Sequence, residues 1–214
     1  MATGGRKYDE YNIPHVLAYV TSDICLWFMN QVVCFRGLDV PREVARTKFF
    51  NVPCKICTRS KTFNRLKAHC ETVKDLTQQG RLVAIALSVK GKKGSDLFSE
   101  RYMIEMFGDA SGIKDGKMID LDTFATELSA VLERIIVVSG QLNEKEPISY
   151  DAVAFNVMLL VKSSTKQTTA MQEWASVVDL PVVKSTVIEP FGTISVGELK
   201  INFFLERKEF PMPQ

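Results

Sequence analysis

The sequence predicts an α+β domain with three main helices on a mostly antiparallel sheet, and three observations carry that expectation. Residues 14–36, a run ending at Gly80 and a run following Asp122 all place apolar residues at helical spacing. Residues 81–89 and 99–107 are strand-like, and the glycine-bearing stretch 90–95 between them reads as the turn of a hairpin. The last third holds an unbroken apolar run, 152–161, then a polar spacer and two further strand candidates. Helices and hairpin-joined strands in this order give an α+β arrangement.

The first helix has Pro14 in its first turn, where a missing N–H costs nothing, and Gly37 as its C-terminal cap. Val16, Leu17, Val20, Ile24, Trp27, Phe28, Val32 and Val33 surround most of its circumference, so it is expected to lie under the sheet. Residues 38–50 read as a basic connector with a short helical turn near 42–46, followed by a short strand beginning beyond Pro53. The second helix, capped by Ser60 or Thr62, carries Phe63, Leu66, Cys70, Val73 and Leu76 on a narrow stripe and stops at Gly80. The third, capped by Asp120 or Asp122, turns Phe124, Leu128, Val131, Leu132, Ile135 and Ile136 to one face. A polar loop at 141–147 then leads on.

Residues 152–161 are apolar throughout, which predicts a central strand covered on both faces. Beyond them, 162–174 is polar and rich in Ser and Thr, as in a connector loosely tied to the core. Strand candidates follow at 182–188 and 199–205. The last alternates: Leu199, Ile201, Phe203 and Leu205 are expected inward, and Lys200, Asn202, Phe204 and Glu206 outward. An outward phenylalanine among polar neighbours marks Phe204 as a candidate partner contact.

Composition narrows the function classes. The 214 residues suffice for one well-buried core, and 46% hydrophobic with 24% charged residues is an ordinary globular balance. A net charge of +2, from 27 basic and 25 acidic residues, gives no strong field for a nucleic-acid backbone, so no direct nucleic-acid binding is expected. No run reaches about 18 uninterrupted apolar residues, and residues 1–12 have no apolar leader core, so an intracellular chain without membrane contact is expected. The five cysteines, an odd number, then read as reduced thiols.

Catalytic and metal signatures are sparse. Cys54 and Cys57 form C-x-x-C with His69 and Cys70 further on, but an odd spacing in an extended segment puts the two thiols on opposite faces. Adjacent His69 and Cys70 diverge by about 100° on a helix. Only His15 and His69 could serve a hydrolase, and no G-x-S-x-G elbow accompanies them. The lysine-rich turn at 90–94 is not a phosphate loop, because it lacks the P-loop pattern and leads into no helix. The expectation is a non-catalytic binding protein with no cofactor and no metal.

Several strings, in order, resemble the HORMA domain family: FNVP at 50–53, a following helix carrying Val73 and Lys74, AFNVMLLVKSS at 154–164, VVDLP at 177–181 and LKINFFLER at 199–207. The resemblance covers nearly the whole chain. It implies a short tail at 1–12, a single domain at 13–208 with a core to about 162 and a "safety belt" at about 163–208, and a tail at 209–214. It further implies an adaptor that traps an extended partner peptide under the belt, beside a core strand, by strand addition. The strings are most similar to those of the accessory subunit of translesion DNA polymerase zeta. By that likeness the peptide belongs to the polymerase zeta catalytic subunit, and contacts are implied for Leu66, Trp174, Leu180, Pro181 and Val182. The sequence departs from the family at two of the places where it has aromatic peptide contacts: one carries Val182, the other falls at Arg65 or Leu66. The closing hairpin would receive the C-terminal domain of the scaffold translesion polymerase at Ile188, Asn202 and Phe204. Also implied are a nuclear location, pairing of two HORMA domains through the third helix and opening by an ATP-driven remodeller. The string MQEW at 171–174 is instead similar to the spindle-checkpoint member, whose partners would be kinetochore or anaphase-promoting-complex activator peptides.

Overall fold

α1 (Ile13–Arg36) runs through the core, and Ile24, Phe28, Met29 and Val32 are wholly buried on it. Residues 17–36 are apolar and long enough to cross a membrane by composition alone, but most of that surface is taken up inside this fold. The helix ends where the sequence indicates. Gly37 has φ +70°, and the Leu38 N–H donates to the Val33 carbonyl at 3.0 Å, closing a Schellman turn. The computed structural model describes residues 13–39, 44–57, 61–91, 99–108, 121–145, 153–162, 186–196 and 199–208.

β1 (Val44–Phe49) and β2 (Val52–Cys57) form an antiparallel hairpin beside α1, so the helical turn expected near 42–46 gives way to a strand from Val44. Its two turn residues, Phe50 and Asn51, have φ of 46° and 65°, the left-handed pair of a two-residue hairpin turn. A left-handed phenylalanine is strained, but its ring is well used. Phe50 packs edge-on against Phe49 and Phe124, with centroids at 4.7 and 4.8 Å, and Phe49 stacks on Trp27 at 5.8 Å. This aromatic relay ties α1 to α3 through the hairpin.

α2 (Lys61–Gln78) buries Leu66, Cys70, Val73 and Leu76, the stripe its spacing predicts, and terminates at Gly80 with φ +62°. β3 (Leu82–Gly91) and β4 (Ser99–Phe107) are antiparallel partners. α3 (Leu121–Lys145) extends through the stretch expected to be a loop, because its buried stripe continues past Ile135 with Val138 and Leu142. Ile136 falls off that stripe and is exposed.

β5 (Val153–Val161), β6 (Thr186–Val196) and β7 (Leu199–Lys208) complete a five-stranded sheet of order β5-β3-β4-β7-β6, antiparallel at every described pairing. Two expectations change. The doubly covered strand is β3, whose residues 84–89 are all buried, whereas among the described residues β5 lies at the sheet edge with half-exposed side chains. An apolar run marks surface that needs cover, and it does not say from which side the cover comes. The C-terminal hairpin is also no loose appendage: Phe191, Ile194, Val196, Leu199, Ile201, Phe203 and Leu205 all enter the main core. Of the strand expected at 182–188, residues 186–188 open β6, which continues to Val196, and residues 182–185 lie outside the described residues. β6 carries a register shift at residues 190–192, where Gly192 adopts φ +145°.

A polar knot fastens the far ends of α1, β4 and α3. Arg36, its side chain fully buried, donates from Nε to both carboxylate oxygens of Glu100 at 3.0 and 3.2 Å, and from Nη1 to Asn143 Oδ1. Tyr102 Oη donates to Glu100 Oε2 at 2.7 Å, and Asn143 Nδ2 donates to the Phe35 carbonyl at 2.9 Å. Burial opposes the charged guanidinium, yet the Glu100 carboxylate outweighs it and raises the Arg36 pKa.

Candidate functional site

Among the described residues β5 has a neighbour, β3, on one side only. Its composition is unusual for an edge. Phe155, Val157, Leu159 and Val161 lean on the core, Met158 packs on Ala84, Ala86 and Met103 across the sheet, and Leu160 stands exposed. Exposed edges generally carry charge or proline to discourage pairing, and β5 carries neither. Among the described residues its outer edge is unpaired and apolar side chains flank it on both faces, the features a strand-accepting edge needs.

α2 flanks this edge. Arg65 Nη2 donates to the Phe155 carbonyl at 2.8 Å, and its guanidinium lies over the Phe155 ring at 4.6 Å. Leu66, by contrast, is 0% exposed and belongs to the core. Of the two α2 positions the sequence raised, the one that reaches β5 is Arg65. Just past the strand, the Lys162 N–H donates to the Arg81 carbonyl at 3.0 Å, pinning the end of β5 to the start of β3. The chain then passes through residues 163–185 and re-enters at β6, on the opposite edge of the sheet. Trp174, Leu180, Pro181 and Val182 lie outside the described residues.

At that opposite edge, Ile188 of β6 is 61% exposed. Pairing sets Ile188 opposite Glu206, Pro190 opposite Phe204 and Thr193 opposite Asn202, so Ile188, Asn202 and Phe204 share the outer face of the hairpin. Phe204 is only partly exposed, because it packs on the small apolar cluster of Ala84, Ala86 and Met103. Thr193 Oγ1 donates to Asn202 Oδ1 at 2.8 Å, and the Arg101–Glu206 ion pair at 3.0 Å borders the patch, while Arg207–Glu189 at 3.1 Å lies on the opposite face of the hairpin.

The cysteines fall into separate environments. Cys54 joins the main core, Cys70 is buried on α2, and the Cys57 thiol meets Cys34 of α1. Burial pushes the Cys25, Cys54 and Cys70 thiols up. No group of three or more His, Cys, Asp or Glu suited to a metal ion occurs among the described residues. Sequence reasoning missed the Arg36–Glu100 knot and the Cys34–Cys57 approach, both of which join residues far apart in the chain.

No family model and no curated protein sequence matches the chain. Solved structures do resemble it. A chain in the crystal structure of the mitotic checkpoint complex superposes with a TM-score of 0.72 at 12% identity, covering 91% of this chain and 99% of that one. C. elegans HTP-2 bound to HTP-3 closure motif 1 gives 0.73 at 11% identity, with 92% and 88% covered. C. elegans HTP-1 bound to a HIM-3 closure motif gives 0.68 at 14%, with 90% of each chain covered. At these identities the likeness is one of fold, and the fold is that of HORMA-domain proteins.

Proposed function

We propose that this protein is a non-catalytic adaptor that captures an extended partner segment as an added strand along the outer edge of β5. The observation that carries the reading is the edge itself: apolar, without charge or proline, and flanked by Arg65. Placement of the C-terminal hairpin against β4 supports it, since the hairpin leaves β5 available. So does the binding of closure motifs by two of the structures that share the fold. Main-chain hydrogen bonds would supply affinity, and the sockets beside Phe155, Val157 and Met158 selectivity. Residues 163–185, which join the two edges, serve in this reading as the strap over the captured segment.

The finer reading rests on the sequence strings. The chain resembles the mitotic-arrest-deficient-like B protein, the accessory subunit of polymerase zeta. The captured segment then comes from the polymerase zeta catalytic subunit, and the face bearing Ile188, Asn202 and Phe204 meets the scaffold translesion polymerase in the nucleus. The spindle-checkpoint reading keeps the same edge and changes the peptide, and the fold shared with a chain of the mitotic checkpoint complex favours it equally.

Fluorescence anisotropy with labelled peptides tiled along the polymerase zeta catalytic subunit, followed by hydrogen exchange of the full chain, separates these readings. One tile is expected to bind and to slow exchange over β5. Capture of checkpoint peptides at β5 instead would retain the adaptor and overturn its assignment. Protection confined to β6 and β7 would overturn the proposed edge.

A further inference from the structure

Asn30, Gln31 and Cys34 lie three and four residues apart on α1 and so share one face. That face is fastened to β2 by backbone contacts on either side of the thiols. Gln31 Nε2 donates to the Lys55 carbonyl at 2.8 Å, and Asn30 Oδ1 accepts the Cys57 N–H at 3.2 Å. Between these contacts the Cys34 and Cys57 sulfurs are 2.9 Å apart, about 0.9 Å beyond a disulfide bond of about 2.05 Å. Cys34 is half-buried while Cys57 lies beneath it, so the pair is reached from the Cys34 side. Lys55, whose ammonium sits over the Phe35 ring at 5.5 Å, adds positive charge nearby.

We propose that Cys34 and Cys57 are a redox pair that closes to a reversible disulfide under a peroxide oxidant, stapling the last turn of α1 to the end of β2. The two thiols share a hydrogen bond, and that contact lowers the Cys57 pKa and raises that of Cys34, so Cys57 is the more acidic and more readily oxidised of the two. With hydrogen peroxide, the Cys57 sulfur attacks one oxygen and the O–O bond breaks. The leaving hydroxide takes a proton to become water, and Cys57 is left as a sulfenic acid. The Cys34 sulfur then attacks the Cys57 sulfur, the S–S bond forms, the S–O bond breaks, and the departing hydroxide takes the Cys34 proton as a second water. Two thiols lose two electrons and two protons, and both peroxide oxygens end as water. A thiol reductant reverses the bond by exchange. The closed ring contains the whole β1–β2 hairpin, and with it the turn that carries Phe50 to Phe124.

The test is brief hydrogen peroxide treatment of the native full chain, alkylation of remaining thiols and peptide mapping without reductant. The expected result is one linked peptide pair joining Cys34 to Cys57, a loss of two from the five thiols of the unfolded chain, and recovery of both with dithiothreitol. Cys34→Ser and Cys57→Ser are each expected to abolish the linked pair. The wild-type map is decisive without either variant: Cys34 and Cys57 oxidised to separate acids, or linkage between other cysteines, overturns the proposal.

Discussion

Arg36 holds a charge where water cannot reach it, and it does so because Glu100, Tyr102 and Asn143 converge on it. Such a pair is hard to break from one side, since the remaining partner keeps its desolvation and loses its counter-charge. Glu100→Gln is therefore expected to lower stability by about 3–5 kcal/mol, measured by urea or guanidinium unfolding. Tyr102→Phe removes one donor to the carboxylate and should cost about 1.5–3 kcal/mol in the same assay. None of this was legible in the sequence: Arg36 stands there as the last helical residue before Gly37, and residues 36, 100 and 143 have no local pattern in common. What was legible at this scale is what depends on near neighbours, such as the glycine caps and the inward set Leu199, Ile201, Phe203 and Leu205. Leu66 shows the limit. Helical spacing placed it on the core face, a family likeness placed it at a peptide, and the structure keeps it in the core.

At the level of single elements, α3 and β6 test opposite uses of glycine. Gly140 lies inside α3, exposed, with no atom within 4 Å of where a Cβ would stand. Gly140→Ala is expected to stabilise the protein by about 0.5–1 kcal/mol, read as a raised unfolding midpoint, because alanine restricts the unfolded chain and suits the helix. Gly192 sits at φ +145°, where an added Cβ would come within 3.1 Å of Val131 Cγ2, so Gly192→Ala should destabilise by about 1–3 kcal/mol. The sequence misjudged α3 and β1 for related reasons. The polar stretch 141–147 read as a loop, although the buried stripe of α3 carries on to Leu142. Residues 44–49, basic and short, gave no period strong enough to reveal a strand that depends on its hairpin partner.

Across the whole molecule, periodicity found three helices and the antiparallel strands but not the order in which the strands assemble. β5 was read as central because it is apolar, yet among the described residues it is an edge strand with half-exposed apolar side chains. The connector at 162–174 was read as loosely tied to the core, yet the hairpin beyond it completes that core with its inner face. A chain ending at residue 185 is therefore expected to lose cooperative unfolding and to bind the dye ANS, since it gives up Phe191, Ile194, Ile201, Phe203 and Leu205 together. A short, folded C-terminal truncation would contradict this.

The ring of Phe28, on the first helix, packs at 5.0 Å on the ring of Phe203, on the last strand. The last described strand thus finishes what the first helix begins, and β7 must slot between β4 and β6 to do it. During synthesis α1 emerges before the strands that cover it and waits with its apolar surface uncovered until residues near 205 have left the ribosome. Completion of this core is consequently a late step that depends on contacts of long sequence separation. The helix that gives the mature protein its core is, for most of the chain's early life, its chief aggregation hazard.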